Sequence, residues 1–116
     1  MQSALRQARR SNCRFRLGAV LVQGNRILAS SPNKRRNSPV IDYRNSTFHA
    51  EEAVIRLVRK APGATLYVAR VDAHLQPAMA KPCLRCQIAL VDAGVRRVLY
   101  TSDASTVKMM LLHREP

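Results

Sequence analysis

The 116-residue sequence lacks the features that mark membrane, secreted and disulfide-rich proteins. Its apolar runs fall well short of the ~18 residues that a membrane-spanning helix needs. The N-terminal segment, residues 1–18, is basic but has no apolar stretch of the kind found in secretory signal peptides. Three cysteines are an odd number and too few for a disulfide scaffold. We therefore expect a cytoplasmic protein, in a reducing compartment, with no membrane contact.

Acidic residues are also scarce, which leaves the chain strongly basic. Seven Asp and Glu stand against twenty Lys and Arg, for a formal net charge of +13. Sixteen of the basic residues are arginine, whose forked guanidinium suits phosphate groups. Residues 1–44 carry a net +9 and residues 45–116 a net +4. This charge favours nucleic acid as a partner. The alternative is that it serves only solubility or reflects a basic host proteome.

The length and a hydrophobic content of 47% predict one globular domain over residues 1–116. Apolar spacing, the turn signals Gly24-Asn25 and Pro62-Gly63, and Gly94 at a helix end divide the chain into elements. The predicted helices cover residues 2–12, 50–61, 83–93 and 106–112, the strands residues 16–22, 26–30, 64–71 and 95–101, and the long loops residues 31–48 and 72–82. This order predicts a three-layer α/β/α sandwich with helices on both faces of a sheet.

Two short motifs carry the chemistry, and each opens a predicted helix after a loop. The first is His49-Ala50-Glu51, and the second is Pro82-Cys83-Leu84-Arg85-Cys86. A His-x-Glu triplet alone is common by chance, whereas Pro-Cys-x-x-Cys is expected in about one chain of this length in a thousand. In this order the two match the signature of zinc-dependent base deaminases.

The residue types agree with a catalytic zinc site. One imidazole, from His49, and two thiolates, from Cys83 and Cys86, leave the fourth tetrahedral position open to water. Zinc lowers the pKa of such a water toward ~7. Glu51 is two residues from His49, so it can move a proton without binding the metal. The alternatives are a closed four-ligand zinc site, for which no fourth ligand has suitable spacing, and a redox pair, which explains neither His49 nor Glu51.

On these motifs the sequence resembles the cytidine deaminase-like superfamily over about residues 14–102. The resemblance implies a mixed sheet of four to five strands between helices, one Zn²⁺ per chain, His49, Cys83 and Cys86 as its ligands, and Glu51 as the catalytic proton shuttle. The fifth strand of many relatives is expected to be missing or replaced by the last helix. The resemblance also implies a substrate site; its expected residues are Asn33 on the sugar, the backbone of Ala50 and Lys81 on the base, and Pro82. An ordinary loop position is the alternative for Asn33.

A basic segment lies between Asn33 and His49, and in this family that loop borders the mouth of the pocket. Its expected contacts with the phosphates of nucleic acid come from Lys34, Arg35, Arg36 and Arg44. Tyr100 ends the last predicted strand and resembles the place where polynucleotide deaminases sense a neighbouring base. An ordinary strand end followed by a helix cap is the alternative there.

The expected function is therefore hydrolytic, zinc-dependent deamination of cytosine to uracil, with single-stranded DNA as the favoured substrate. Free cytidine, deoxycytidine or deoxycytidylate is the main alternative. Adenosine in tRNA is a further one, although Lys81 stands where Glu is frequent in that branch. The last alternative is a non-catalytic zinc module that binds nucleic acid. Glu51 argues against it, because a structural zinc site does not need a proton shuttle. The sequence leaves open whether the chain is a monomer or a homo-oligomer.

Overall fold

The computed structural model describes residues 1–10, 16–32, 34–35, 47–48, 60–72, 74–82, 84–103 and 106–112, with the backbone alone at residues 34, 35, 47, 48 and 85. Its helices are α1 (Gln2–Arg10) and α2 (Leu84–Ala93). Its strands are β1 (Arg16–Gln23), β2 (Arg26–Pro32), β3 (Lys34–Arg35), β4 (Thr47–Phe48), β5 (Thr65–Val71), β6 (Pro77–Ala78), β7 (Arg97–Thr101) and β8 (Val107–Leu111).

The main sheet is mixed, with the strand order β2-β1-β5-β7-β8 and β6 paired to β5. β5 and β7 are parallel, because α2 carries the chain back across the sheet between them. The other pairings in this sheet are antiparallel. β3 and β4 form a separate two-stranded ladder. The expected mixed sheet of an α/β sandwich is confirmed.

One face of the sheet is covered by α1. Ala4, Leu5 and Ala8 form the buried stripe of this helix and pack against Val20 and Val71. The helix comes very close to β1 at Gly18, where a Cβ would overlap the backbone of α1. The spacing Ala4-Leu5-Ala8 thus buries the helical face predicted from sequence, and Gly18 permits the close approach.

The opposite face carries the larger core and α2. Ala19 and Leu21 alternate with Val20 along β1 and so point away from α1. They join one buried cluster with Leu66 and Val98, and with Leu90 of α2. The two helices therefore lie on opposite faces of the sheet, as the element order predicted.

The helix predicted over residues 106–112 is wrong, because residues 107–111 form strand β8. It pairs antiparallel with β7 across five residue positions and supplies the fifth strand that the sequence was expected to lack. Met110 packs on the core, whereas Met109 is 56% exposed, as expected of neighbouring side chains on opposite faces of a strand. A seven-residue helix is marginal on its own, while pairing with β7 satisfies backbone groups at a sheet edge.

Smaller differences concern the predicted loops and one helix end. Ser31 and Pro32 continue β2, residues 34–35 pair with residues 47–48, and β6 lies inside the predicted 72–82 loop. The predicted helix over residues 50–61 is wrong at Lys60 and Ala61, which are not helical, and residues 50–59 lie outside the described part of the chain. Backbone pairing in these segments depends on partners distant in sequence, which local composition does not reveal. Within the described ranges, neither helix is long and apolar enough to cross a membrane.

Candidate functional site

The carboxyl-terminal ends of β5 and β7 meet at one edge of the sheet, because these strands are parallel. The chain crosses this edge a second time as residues 77–82. β6 pairs there with β5, so that Val71 lies opposite Pro77, and the amide of Ala80 donates to the carbonyl of Thr101 at 2.8 Å. The Pro-Cys-x-x-Cys motif follows directly, so the fold delivers it to the edge where ligands bind in open α/β sheets.

Thr101 ties this crossing segment to the sheet. Its side chain is 2% exposed, and its hydroxyl donates to the carbonyl of Ala78 and accepts from the amide of Arg70, the latter at 3.1 Å. One buried hydroxyl therefore joins β5, β6 and β7 at a single point. Because β6 leads into Lys81 and Pro82, Thr101 fixes where the motif begins.

The start of α2 is built around Pro82 and Cys86. Pro82 is buried, and the side-chain amide of Gln87 donates to its carbonyl at 2.8 Å. Cys86 lies in the first turn of α2 and is fully buried. A helix N-terminus stabilises the thiolate form of a cysteine through the helix dipole. A buried thiolate at this place fits a zinc ligand, so the donor chemistry of Cys86 agrees with the expected metal.

Several of the expected site residues fall outside the described part of the chain. These are Asn33, Arg36, Arg44, His49, Ala50, Glu51 and Cys83. Among the residues that are described, no cluster of three or more His, Cys, Asp or Glu side chains is found, as only one expected ligand lies in that set. Their roles stay predictions.

The basic segment next to Asn33 is placed by its backbone. Lys34 pairs with Phe48 and Arg35 with Thr47 in the β3–β4 ladder. Phe48 is the residue that precedes His49 in the sequence. The ladder thus brings the start of the basic segment beside the chain that enters the His-x-Glu motif.

Lys81 and Tyr100 lie close to this edge with opposite exposure. Lys81 is exposed next to the buried Pro82. The ring of Tyr100 belongs to the larger core, and the residue is 8% exposed. Packing, the ordinary role at that strand end, is therefore what the ring does in this structure. A contact of Tyr100 with nucleic acid stays a prediction.

A carboxylate turn leads into β6 at the same edge. The amides of Gln76 and His74 donate to Oδ1 of Asp72 at 3.1 and 2.8 Å. These two hydrogen bonds, the one from Gln76 first, hold the pKa of Asp72 below its ordinary value. The ionised carboxylate orders the turn from which β6 departs.

Thr101 and Gln87 are the two residues of this region that the sequence did not single out. Both act through backbone carbonyls that are fixed only when distant segments meet, Thr101 at Ala78 and Gln87 at Pro82. Neither residue belongs to a spaced motif. The sequence therefore carried no signal that could have identified them.

The comparisons with known proteins indicate the family and the fold. A family model described as the cytidine and deoxycytidylate deaminase zinc-binding region matches residues 1–102. The chain is similar to a tRNA-specific adenosine deaminase of Agrobacterium fabrum (strain C58), with 36% identity over 108 residues. That match covers 86% of this chain and 61% of the relative, so the chain spans about three fifths of the relative's length.

Solved structures share the fold. The chain superposes on the deoxycytidylate deaminase of cyanophage S-TIM5 with a TM-score of 0.65 and 24% identity, covering 85% of this chain and 76% of the other. It superposes on a cytidine deaminase from Burkholderia pseudomallei with a TM-score of 0.71 and 17% identity, covering 96% and 88%. At these identities the likeness establishes the architecture alone.

Proposed function

Because the chain belongs to the family of the cytidine and deoxycytidylate deaminase zinc-binding region, we propose that it hydrolytically deaminates cytosine to uracil within single-stranded DNA. Membership makes it a zinc-binding protein of a deaminase family, a class of hydrolases acting on C–N bonds of cyclic amidines. Cytosine as the target base and single-stranded DNA as the substrate are what we propose beyond family membership. A cytoplasmic location accompanies it as an expectation.

The β3–β4 ladder is the observation that best supports a polymeric substrate. It brings Lys34 and Arg35 beside the residue that precedes His49. Positive side chains at the entrance of a base pocket would hold the phosphates that flank a target base, which a free nucleoside lacks. The exposed Lys81 adds a further positive charge next to Pro82. The +13 net charge supports the same partner.

The proposed reaction replaces the exocyclic amine of cytosine by an oxygen from water and releases ammonia. His49, Cys83 and Cys86 would hold the zinc, which supplies a nucleophilic water at neutral pH. Glu51 would carry one proton of that water to the ring nitrogen and the second proton to the departing amine. Asn33 would bind the sugar through its amide, and the backbone of Ala50 and Lys81 with Pro82 would hold the base.

The test compares four substrates under one set of conditions. They are a cytosine-containing DNA oligonucleotide, the same sequence in RNA, free deoxycytidine and deoxycytidylate. We expect the highest kcat/KM on the DNA oligonucleotide, with uracil formed and ammonia released. A higher kcat/KM on deoxycytidylate or deoxycytidine would reject a polymeric substrate in favour of a free nucleotide or nucleoside. A higher kcat/KM on the RNA oligonucleotide would reject DNA as the preferred polymer.

Adenosine in tRNA is the second candidate, favoured by the 36% identity to a tRNA-specific adenosine deaminase. A fifth reaction with an unmodified tRNA, analysed for inosine, separates the two bases. Inosine without uracil would reject cytosine and would retain a nucleic-acid substrate. Uracil without inosine would reject the second candidate.

A further inference from the structure

A cleft lies at the end of the sheet opposite the Pro-Cys-x-x-Cys motif. It has a volume of about 410 Å³ and its lining residues are Gly63, Arg96, Arg97, Leu111 and Leu112. Arg97 starts β7, where it pairs with Thr65 at the start of β5 and with Leu111 at the end of β8. The cleft is therefore at the amino-terminal ends of the two parallel strands. We call it the Arg96–Arg97 cleft.

The two arginines that line this cleft are available to a ligand. Arg96 and Arg97 are both exposed. Within the described part of the chain, neither side chain takes part in a hydrogen bond or an ion pair, whereas the backbone of Arg96 is bonded to Ala64 and Leu112. Each guanidinium presents five N–H donors in a planar fork that matches phosphate. Two exposed arginines that line one cleft concentrate positive charge there, which favours the binding of an anion.

The surroundings add positive charge. Lys60 reaches the end of α2, where its Nζ donates to the carbonyl of Asp92 at 2.9 Å. Arg26 pairs with Gln23, whose side chain donates to the carbonyl of Pro62 at 2.8 Å, so the β1–β2 turn lies at the same end. Both basic side chains are exposed. Of the described carboxylates, only Asp92 belongs to this end, since Asp72 and Asp103 follow the opposite ends of β5 and β7.

The end of α2 does not counteract this charge. The last carbonyls of a helix form a partially negative pole when they are left without donors. Here the carbonyls of Leu90, Val91, Asp92 and Ala93 accept from the amide of Val95, the amide of Gly94, the Nζ of Lys60 and the amide of Ala61. The cleft is therefore positively charged, because its two arginines are not offset by the helix end.

We propose that the Arg96–Arg97 cleft binds a backbone phosphate of a single-stranded DNA, at a second position remote from the base pocket. The identity of the polymer rests on the proposed function. The ten residues of α2 separate the two ends of the sheet by about 15 Å. One nucleotide is too short to hold its base at one end and its phosphate at the other, whereas a strand of several nucleotides can reach both.

The first experiment measures binding of labelled oligothymidylate, which has no cytosine, to the R96A/R97A variant at several salt concentrations. We expect about tenfold weaker binding at low salt than for the wild type. The log–log salt slope should fall by up to about 1.4, for two lost phosphate contacts on a single strand. The R6A/R9A variant is the matched control, because it removes the same charge from exposed positions of α1. Its affinity should stay within about twofold of the wild type.

The second experiment identifies the source of the phosphate. Inorganic phosphate and deoxycytidylate are used as competitors of the oligothymidylate. Weak competition that is the same for wild type and R96A/R97A supports the polymer. Strong competition that R96A/R97A abolishes would assign the cleft to a free phosphate and would overturn the proposal.

The outcomes separate this inference from the proposed function. A wild type that deaminates the DNA oligonucleotide, with R96A/R97A binding no more weakly than R6A/R9A, would reject the cleft alone. A wild type without activity on DNA but with the expected R96A/R97A defect would reject the proposed function and keep the cleft. Thermal unfolding of both variants checks that the loss of affinity is not a loss of fold.

Discussion

Glu51 is the residue on which the proposed chemistry depends most directly. It is two positions from His49, so it can move protons without completing the ligand set of the zinc. The E51Q variant should keep its zinc and its melting temperature and lose about 10²–10⁴-fold in kcat. Metal analysis and turnover on the preferred substrate test this together. Near-native turnover would reject the proton-shuttle role, and loss of zinc would make Glu51 a structural residue.

Thr101 is a second single residue with a specific role, since its hydroxyl positions the segment that leads to Pro82. The T101V variant keeps the shape and leaves the carbonyl of Ala78 and the amide of Arg70 without their common partner. We expect a loss of about 1–3 kcal/mol in the free energy of unfolding. Zinc affinity should also fall, since the segment that leads to Pro82 loses its anchor. The control is S102A, whose hydroxyl bond to the carbonyl of Thr106 is long, at 3.3 Å, and exposed. Equal stability of T101V and S102A would contradict the anchoring role.

At the scale of elements, the contact between α1 and β1 depends on a missing side chain. A Cβ at Gly18 would overlap the backbone nitrogen of Ala8 and the carbonyl oxygen of Ala4. Neither is the end of a flexible side chain, so G18A must displace the helix and should cost about 3 kcal/mol in the free energy of unfolding. G24A separates this overlap from backbone strain, because Gly24 has a φ of +60° and nothing within 4 Å of its Cβ position. G24A should cost about 1 kcal/mol in the free energy of unfolding, from backbone strain alone. Chemical denaturation of both variants decides between them.

Strand β8 gives a second prediction for an element. In an edge strand the side chains alternate between the core and solvent, so neighbouring methionines should differ. M110A removes contacts with the core and should cost about 2 kcal/mol in the free energy of unfolding. M109A alters an exposed side chain and should change it by less than about 0.5 kcal/mol. Similar losses in both variants would argue against the strand and for the helical periodicity that the sequence first indicated.

At the scale of the whole molecule, the charge of +13 predicts that binding to single-stranded DNA weakens steeply with salt. Replacing Lys34, Arg35 and Arg36 together by alanine should lower the log–log slope by up to about two. It should also raise KM for an oligonucleotide far more than for a free nucleoside, because only the oligonucleotide has flanking phosphates. An unchanged slope, or a wild-type affinity that ignores salt, would reject the polymer and leave the charge as a matter of solubility.

The sequence by itself indicated the family, its zinc and much of the architecture. Pro-Cys-x-x-Cys and His-x-Glu are short local patterns whose residue types and spacing predict the zinc ligands and the proton shuttle before any fold is known. Amphipathic spacing likewise placed α1 and α2, and Gly94, with a φ of +94°, ends α2 as predicted. These features are local, so composition and periodicity reveal them.

Only the tertiary structure decided which segments meet. Residues 107–111 have apolar spacing that suits a short helix, and they became strand β8 because β7 offered a free edge. The pairing of Lys34 with Phe48, the hydroxyl of Thr101 on Ala78, and the Arg96–Arg97 cleft each join residues that are distant in sequence. Such contacts depend on the packing of the whole sheet, and no local pattern encodes them.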